Sequence, residues 1–238
     1  MAPNTIIMLF LPLLLLCSGV YSDLILNLEN RCADTIWRGS NSTISDIQPF
    51  LNPGVRTSLM VRDPWSGTIW PLTRCTNSAL QNFSCATGDC GTGLLACSIP
   101  KYPVTEFIFK INDSVVSYDL SLVHGQNVLV RVKPNGGTLV DGGSGPCPMV
   151  ECNKELSSVC PSHLIAYDQD GQYVGCKNSC DVIDDPKYCC DGVACIPDEY
   201  MKMNKQLCPD ATTFQGDKQP SVCKGAISYD ITFCPDPL

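Results

Sequence analysis

From Asp23 onward the chain alternates apolar and polar residues with the two-residue period of β-strands. Leu24, Leu26 and Leu28 alternate with Asn27 and Glu29, and a second short segment, Asp34 to Trp37, follows Cys32. The turn signal Asn52-Pro53-Gly54 introduces Val55 to Val61, which has strand composition, and Thr68-Ile69-Trp70 is another short candidate. Thr105, Phe107, Phe109 and Ile111 share one face of a strand whose other face carries Glu106 and Lys110. Ser117 to Val123 repeats the pattern, with Tyr118, Leu120 and Leu122 opposite Asp119 and Ser121. Val128 to Val132 gives the strongest strand signal, and the glycine-rich stretch 135–146 reads as a linker. One helix is predicted: Pro197-Asp198-Glu199 supplies an acidic first turn, Tyr200, Met203 and Leu207 recur at helical spacing, and Lys202 and Lys205 lie towards its end. Ala226 to Phe233 returns to strand alternation. Many short strands punctuated by Pro and Gly predict a mainly β protein built as a sandwich or barrel.

Cysteines change this picture. Residues 1–22 carry no charged side chain, include the apolar run Ile6 to Leu16 and end Val20-Tyr21-Ser22, so they read as a secretory signal peptide with the mature chain starting near Asp23. The run is short for a bilayer span, and no later stretch approaches the ~20 apolar residues a span requires. Removing the signal removes Cys17 and leaves sixteen of the seventeen cysteines, a dense, even set that reads as disulfides in an oxidising compartment. Zinc is disfavoured by the adjacent pair Cys189-Cys190, by only two histidines and by the lack of paired C-x2-C knuckles, so no metal or other cofactor is expected. Three cysteines fall within Cys85 to Cys97, and nine fall between Cys147 and Cys208. The second cluster predicts a loop-rich lobe beside the strands.

Charge narrows the partners. A net charge of −8 and a pI near 4.6 argue against nucleic acid and against direct binding to anionic membranes. The sequons Asn41-Ser42-Thr43, Asn82-Phe83-Ser84 and Asn112-Asp113-Ser114 predict glycosylation at Asn41, Asn82 and Asn112. No Gly-x-Ser-x-Gly elbow and no phosphate loop occurs, and His163 reads as a turn or surface residue.

Cys85-Ala86-Thr87-Gly88-Asp89-Cys90-Gly91, with Cys97 beyond it, resembles the signature of thaumatin-like proteins, the fifth class of plant pathogenesis-related proteins. The resemblance spans nearly the whole mature chain, through Trp65-Ser66-Gly67, Ile69-Trp70, Tyr118 to Val123, Tyr188-Cys189-Cys190, Leu207 to Ala211 and Phe233-Cys234-Pro235. One departure is Gln81, where the signature usually has glycine. The resemblance implies a flattened β-sandwich core (23–74, 98–146 and 209–238), a small disulfide lobe (75–97) and a disulfide-rich loop/helix lobe (147–208). It also implies the pairings Cys32–Cys234, Cys75–Cys85, Cys90–Cys97, Cys147–Cys223, Cys152–Cys208, Cys160–Cys176, Cys180–Cys189 and Cys190–Cys195. Asp89 is expected to stabilise its own turn.

Members of that family have an acidic cleft lined by an arginine, a glutamate and three aspartates. Matched by motif, the glutamate is Glu106, the first aspartate is Asp119 and a further acid is Asp217. Two positions depart: Thr68 stands where the arginine is usual and His124 where an aspartate is usual. Arg62 and Arg74 are candidates to replace the missing cation. Read only as strand residues, Glu106 and Asp119 lie on polar faces where solvated carboxylates are ordinary, and the resemblance is what marks them. It implies a monomeric plant defence protein, secreted to the apoplast, that binds cell-wall β-1,3-glucan and acts against fungi. The chain's end soon after Cys234-Pro235 fits secretion outside the cell in preference to vacuolar sorting. The alternative is a weak endo-β-1,3-glucanase using Glu106 and Asp119, and the sequence leaves open whether the protein is an enzyme.

Overall fold

A computed structural model describes residues 23–42, 44, 49–76, 83–91, 93–140, 145–183, 185–189 and 196–236. Its strands are β1 (Leu24–Asn30), β2 (Ile36–Ser40), β3 (Phe50–Leu51), β4 (Arg56–Val61), β5 (Trp65–Leu72), β6 (Glu106–Asn112), β7 (Val115–Ser121), β8 (Val130–Leu139), β9 (Val150–Cys152), β10 (Ile165–Tyr167), β11 (Tyr173–Cys176) and β12 (Ser221–Phe233). The helices are α1 (Pro186–Cys189) and α2 (Glu199–Leu207).

Strand β12 makes the sandwich. Its first residues pair with β7, its last six run parallel to β1, and β8 lines its other edge. Gly225, at φ +78°, and a register shift between Ala226 and Ser228 turn the strand between these partners. One layer is therefore β3-β2-β5-β6-β7 and the other β4-β1-β12-β8-β9, joined through β12. The layers meet through rings: Phe107 of β6 contacts Phe233 at 5.6 Å and Phe109 contacts Tyr229 at 5.4 Å, although β6 and β12 are not neighbours in either sheet. The predicted inward faces supply the rest, with Leu24, Leu26, Leu28, Phe109, Ile111 and Leu120 all buried. Each such side chain contributes roughly 1.5–3 kcal/mol.

The glycine-rich stretch is not the expected linker up to residue 139. Strand β8 continues through it: Gly136 and Gly137 adopt φ of +77° and +82°, and Gly136 and Thr138 still pair with β12. A Cβ on Gly137 would lie 2.7 Å from Cys223 Sγ and 2.8 Å from Cys147 Sγ, so the strand passes over that bridge only as glycine. Strand β9, from the segment expected in the lobe, also belongs to the large sheet, where it pairs with β8.

Among the described residues, seven bridges join Cys32–Cys234, Cys75–Cys85, Cys90–Cys97, Cys147–Cys223, Cys152–Cys208, Cys160–Cys176 and Cys180–Cys189. The expected pair Cys190–Cys195, the signal segment 1–22 and Asn82 lie outside the described residues. In the small lobe, Asp89 accepts bonds from the Cys85 and Gly91 amides at 2.8 and 2.7 Å, holding the signature loop closed. Trp70 Nε1 of β5 donates to Gly88 O at 3.0 Å and fastens that loop to the core. In the larger lobe, Asp198 caps α2 by accepting from Met201 N at 2.8 Å, and Tyr200 points inward to Cys176 Sγ. Among the described residues no three metal-ligating side chains cluster, and no helix is long and apolar enough to cross a membrane.

Candidate binding cleft

Strand register builds the site. Asn41 N donates to Thr68 O at 3.1 Å, Thr68 stands opposite Ile108, and Ile108 stands opposite Asp119. Glu106 is opposite Ser121 in the neighbouring rung. Directly opposed residues point to the same side of a sheet. Thr68, Ile108, Asp119 and Glu106 therefore share the outer face of β5-β6-β7, the face away from Phe107 and Phe109. Ile108 is 39% exposed, an apolar side chain set between a hydroxyl and a carboxyl. Glu106 and Asp119 are diagonal neighbours, with backbones about 7–8 Å apart.

The carboxylates differ in what holds them. Asp119 is only 6% exposed; its Oδ2 accepts from the Thr212 hydroxyl at 2.7 Å, while its Oδ1 is buried with no protein donor. Asp217 is turned into its own loop, where it accepts from Thr213 N and Oγ1 at 2.9 Å and pairs with Lys205 Nζ at 3.4 Å. With its side chain 2% exposed, it braces the loop beside the cleft and does not present itself to solvent. Thr68 is bound by Asn41, its amide donating to Asn41 Oδ1 at 2.7 Å.

His124 links the sheet to the disulfide-rich lobe. Its Nδ1 is 2.9 Å from Asp181 Oδ1, and its ring stacks on Tyr102 with centroids 4.1 Å apart. Asn178 ties the same lobe down, donating from Nδ2 to Leu122 O at 3.1 Å and to Thr213 O at 2.9 Å. Among the described residues, Lys205 pairs with Asp217, the Lys218 charge acts on Asp119 and the His124 charge acts on Glu106. Arg74 instead pairs with Asp168 at the tip of the β10–β11 hairpin, and among the described residues Arg62 makes no ion pair with a cleft carboxylate. Asp181 and Tyr102 were not anticipated from the sequence. Asp181 follows Cys180 without any motif, and Tyr102 is a lone aromatic between Lys101 and Pro103.

Electrostatics follow from burial. Desolvation raises the Glu106 carboxyl above 4.5; the His124 charge opposes this, and Asp181 adds to it. Desolvation likewise raises Asp119 above 3.8 against the Thr212 hydrogen bond and the Lys218 charge. Burial alone would lower His124, but the Asp181 hydrogen bond and the Glu106 and Asp181 charges outweigh it and leave the imidazole above 6.5. Burial also pushes Tyr102 up to about 12. A group whose folded pKa is raised favours folding most when protonated, so all three cleft groups lose stabilisation as pH rises through their folded values. Asp168 and Asp185 are shifted down, chiefly by the Gln172 amide and the Lys187 side chain, so they weaken the fold only as pH falls through their own low values. The thermal midpoint is therefore expected to be higher at pH 5 than at pH 8, and His124→Gln is expected to flatten that difference. Equal slopes for the two proteins in differential scanning calorimetry would refute the role given to His124.

Of the described sequon residues, Asn41 lies at the edge of the Thr68–Ile108–Asp119 row, and Asn112 lies at the β6–β7 turn.

The thaumatin family matches residues 30–235. Similar curated proteins include thaumatin-like protein 1 of Pyrus pyrifolia, 34% identical over 92% of this chain and 93% of that one. Pathogenesis-related protein 5 of Arabidopsis thaliana is 35% identical over 87% and 89% of the two chains. A protein of Prunus avium named glucan endo-1,3-beta-glucosidase is 31% identical over 99% of this chain and all of its own. Among solved structures, the thaumatin-like xylanase inhibitor TLXI superposes with a TM-score of 0.50 at 19% identity, covering 88% of this chain and 99% of that one, which speaks to the fold.

Proposed function

This chain belongs to the thaumatin family, and from that premise we propose that it is a secreted plant defence protein whose cleft binds cell-wall β-1,3-glucan and acts against fungi. The observation that carries this reading is the outer-face row itself. A pyranose ring has an apolar C–H face and a hydroxyl rim. An exposed Ile108 flanked by the Thr68 hydroxyl and by Glu106 and Asp119 offers matching surfaces on a rigid sheet. The name of the Prunus avium relative points to the same polysaccharide class, and the disulfide density fits an extracellular protein. Retention of the mature protein on insoluble β-1,3-glucan is expected to exceed that of an unrelated acidic protein. Glu106→Gln is expected to weaken it about tenfold, the loss of roughly one charge-assisted hydrogen bond. Retention no better than the control would sink the proposal.

A second reading, a weak endo-β-1,3-glucanase, draws on the diagonal placement of Glu106 and Asp119. The register sets both carboxyls on one face of adjacent strands, the arrangement a paired acid and base would need. Such chemistry needs two carboxyls whose pKa values are driven apart, whereas burial drives both of these upward. Binding without release of reducing ends from soluble glucan is the expected result. Release that disappears in Glu106→Ala and Asp119→Ala would establish the enzyme instead.

A further inference from the structure

The sequon at Asn41 stands on the cleft row, and its side chain is oriented by bonds whose direction is unambiguous. The Thr68 backbone N–H can only donate, so the Asn41 atom 2.7 Å from it is the acceptor Oδ1. Nδ2 must then face along the row, and it donates to Thr68 Oγ1 at 3.3 Å. The strand end is pinned on the same side, since Ser42 Oγ donates to Ser66 O at 2.7 Å and Ser42 N donates to Ser40 Oγ at 3.1 Å. Attachment of a glycan exchanges one Nδ2 proton for C1 of the sugar. The C1–O bond to a lipid-pyrophosphate carrier breaks as the N–C1 bond forms, and the proton departs. A secondary amide prefers the trans form, which sets its new substituent on the carbonyl-oxygen side of the nitrogen. Here that is the position of the proton bonded to Thr68 Oγ1, so attachment replaces that hydrogen bond and seats the first sugar against Thr68.

We infer that an N-linked glycan on Asn41 lies over Thr68 and Ile108 and governs the access of polysaccharide to Glu106 and Asp119. The access part rests on the cleft being the ligand site, as proposed above. At about 4.8 Å per strand, Ile108 is about 10 Å and Asp119 about 14 Å from Asn41, within reach of the first few sugars. Asn112 differs: its Nδ2 turns back to Asp113 Oδ2 at 3.1 Å, four residues beyond Ile108 on β6, so a glycan there is not aimed along the row.

The test compares wild type, Thr43→Ala and Ser114→Ala, all secreted from a glycosylating eukaryotic host. Thr43→Ala abolishes the Asn41 sequon while keeping Asn41, and Ser114→Ala does the same for Asn112. Peptide mass reads occupancy at Asn41, hydroxyl-radical footprinting reads exposure of Ile108, and titration with soluble β-1,3-glucan reads affinity. Expected are an occupied Asn41, several-fold slower oxidation of Ile108 in wild type than in Thr43→Ala, and affinity about tenfold weaker in wild type. Ser114→Ala should track wild type. An unmodified Asn41, or equal oxidation of Ile108 in wild type and Thr43→Ala, overturns the inference. Protection of Ile108 with no glucan binding by any of the three overturns the ligand reading and the access claim with it, leaving glycan coverage established.

Discussion

Replacing Cys32 and Cys234 together with serine is expected to lower the unfolding free energy by about 5 kcal/mol, roughly twice the loss from the same treatment of Cys90 and Cys97. The difference comes from the unfolded chain. Cys32–Cys234 closes a sequence separation of 202 residues and Cys90–Cys97 one of 7. Loop-closure entropy grows with the logarithm of that length, giving about 5 and about 2.5 kcal/mol in the chain-entropy description. The long bridge also sits where the fold has most to lose. It follows Asn30 and Phe233, the last rung of the parallel β1–β12 pair, and that pair lies in the middle of one layer of the sandwich. A parallel pairing of chain ends has no local turn to hold its register. Guanidinium denaturation of both double variants measures the comparison, and equal losses would reject the entropic account.

The strand pattern carried far because its cause is local. Leu24, Leu26 and Leu28, and Thr105 to Ile111, bury every second residue, as a sheet with one inward face requires. Helix α2 was legible for a similar reason, since the Asp198 cap lies within one turn of the amide it satisfies. The glycine-rich stretch misled because Gly136 and Gly137 look like loop residues in sequence, whereas their positive φ lets a strand bend past the Cys147–Cys223 bridge. The cleft was legible only in part. Register on adjacent strands gathers Thr68, Glu106 and Asp119, and alternation had already put the two carboxyls on polar faces. Nothing local joins His124 to Asp181, fifty-seven residues on, or Lys205 to Asp217 across the end of α2. Those contacts depend on how the lobe docks, which no periodicity encodes.

That docking gives the last prediction: Gly125→Ala is expected to cost about 4 kcal/mol and to abolish glucan retention, while Gly54→Ala costs about 1 kcal/mol and preserves it. Both glycines have positive φ, +87° and +77°, so both substitutions bring left-handed strain. Only Gly125 is also crowded: a Cβ there would lie 2.2 Å from Cys176 O and 2.9 Å from Lys177 Cα, whereas nothing lies within 4 Å at Gly54. Those neighbours are backbone and have no rotamer by which to yield. The crossing they form is also a hydrogen-bonded joint. Gln126 N donates to Cys176 O at 2.8 Å, Cys176 N donates back to Gln126 O at 2.9 Å, and the Gln126 side chain accepts from Leu156 N at 3.0 Å and donates to Lys154 O at 3.0 Å. Gly175 fits beneath only because it too lacks a Cβ, which would meet Gln126 O at 2.5 Å. Forcing this joint apart moves the loop that carries His124 away from the segment that carries Asp181, and it strains the Asn178 bond to Leu122 O. Thermal midpoints and glucan retention of the two variants separate strain from crowding. Equal destabilisation would mean that the backbone conformation alone sets the cost. Retention surviving in Gly125→Ala would mean that the lobe's position does not shape the cleft.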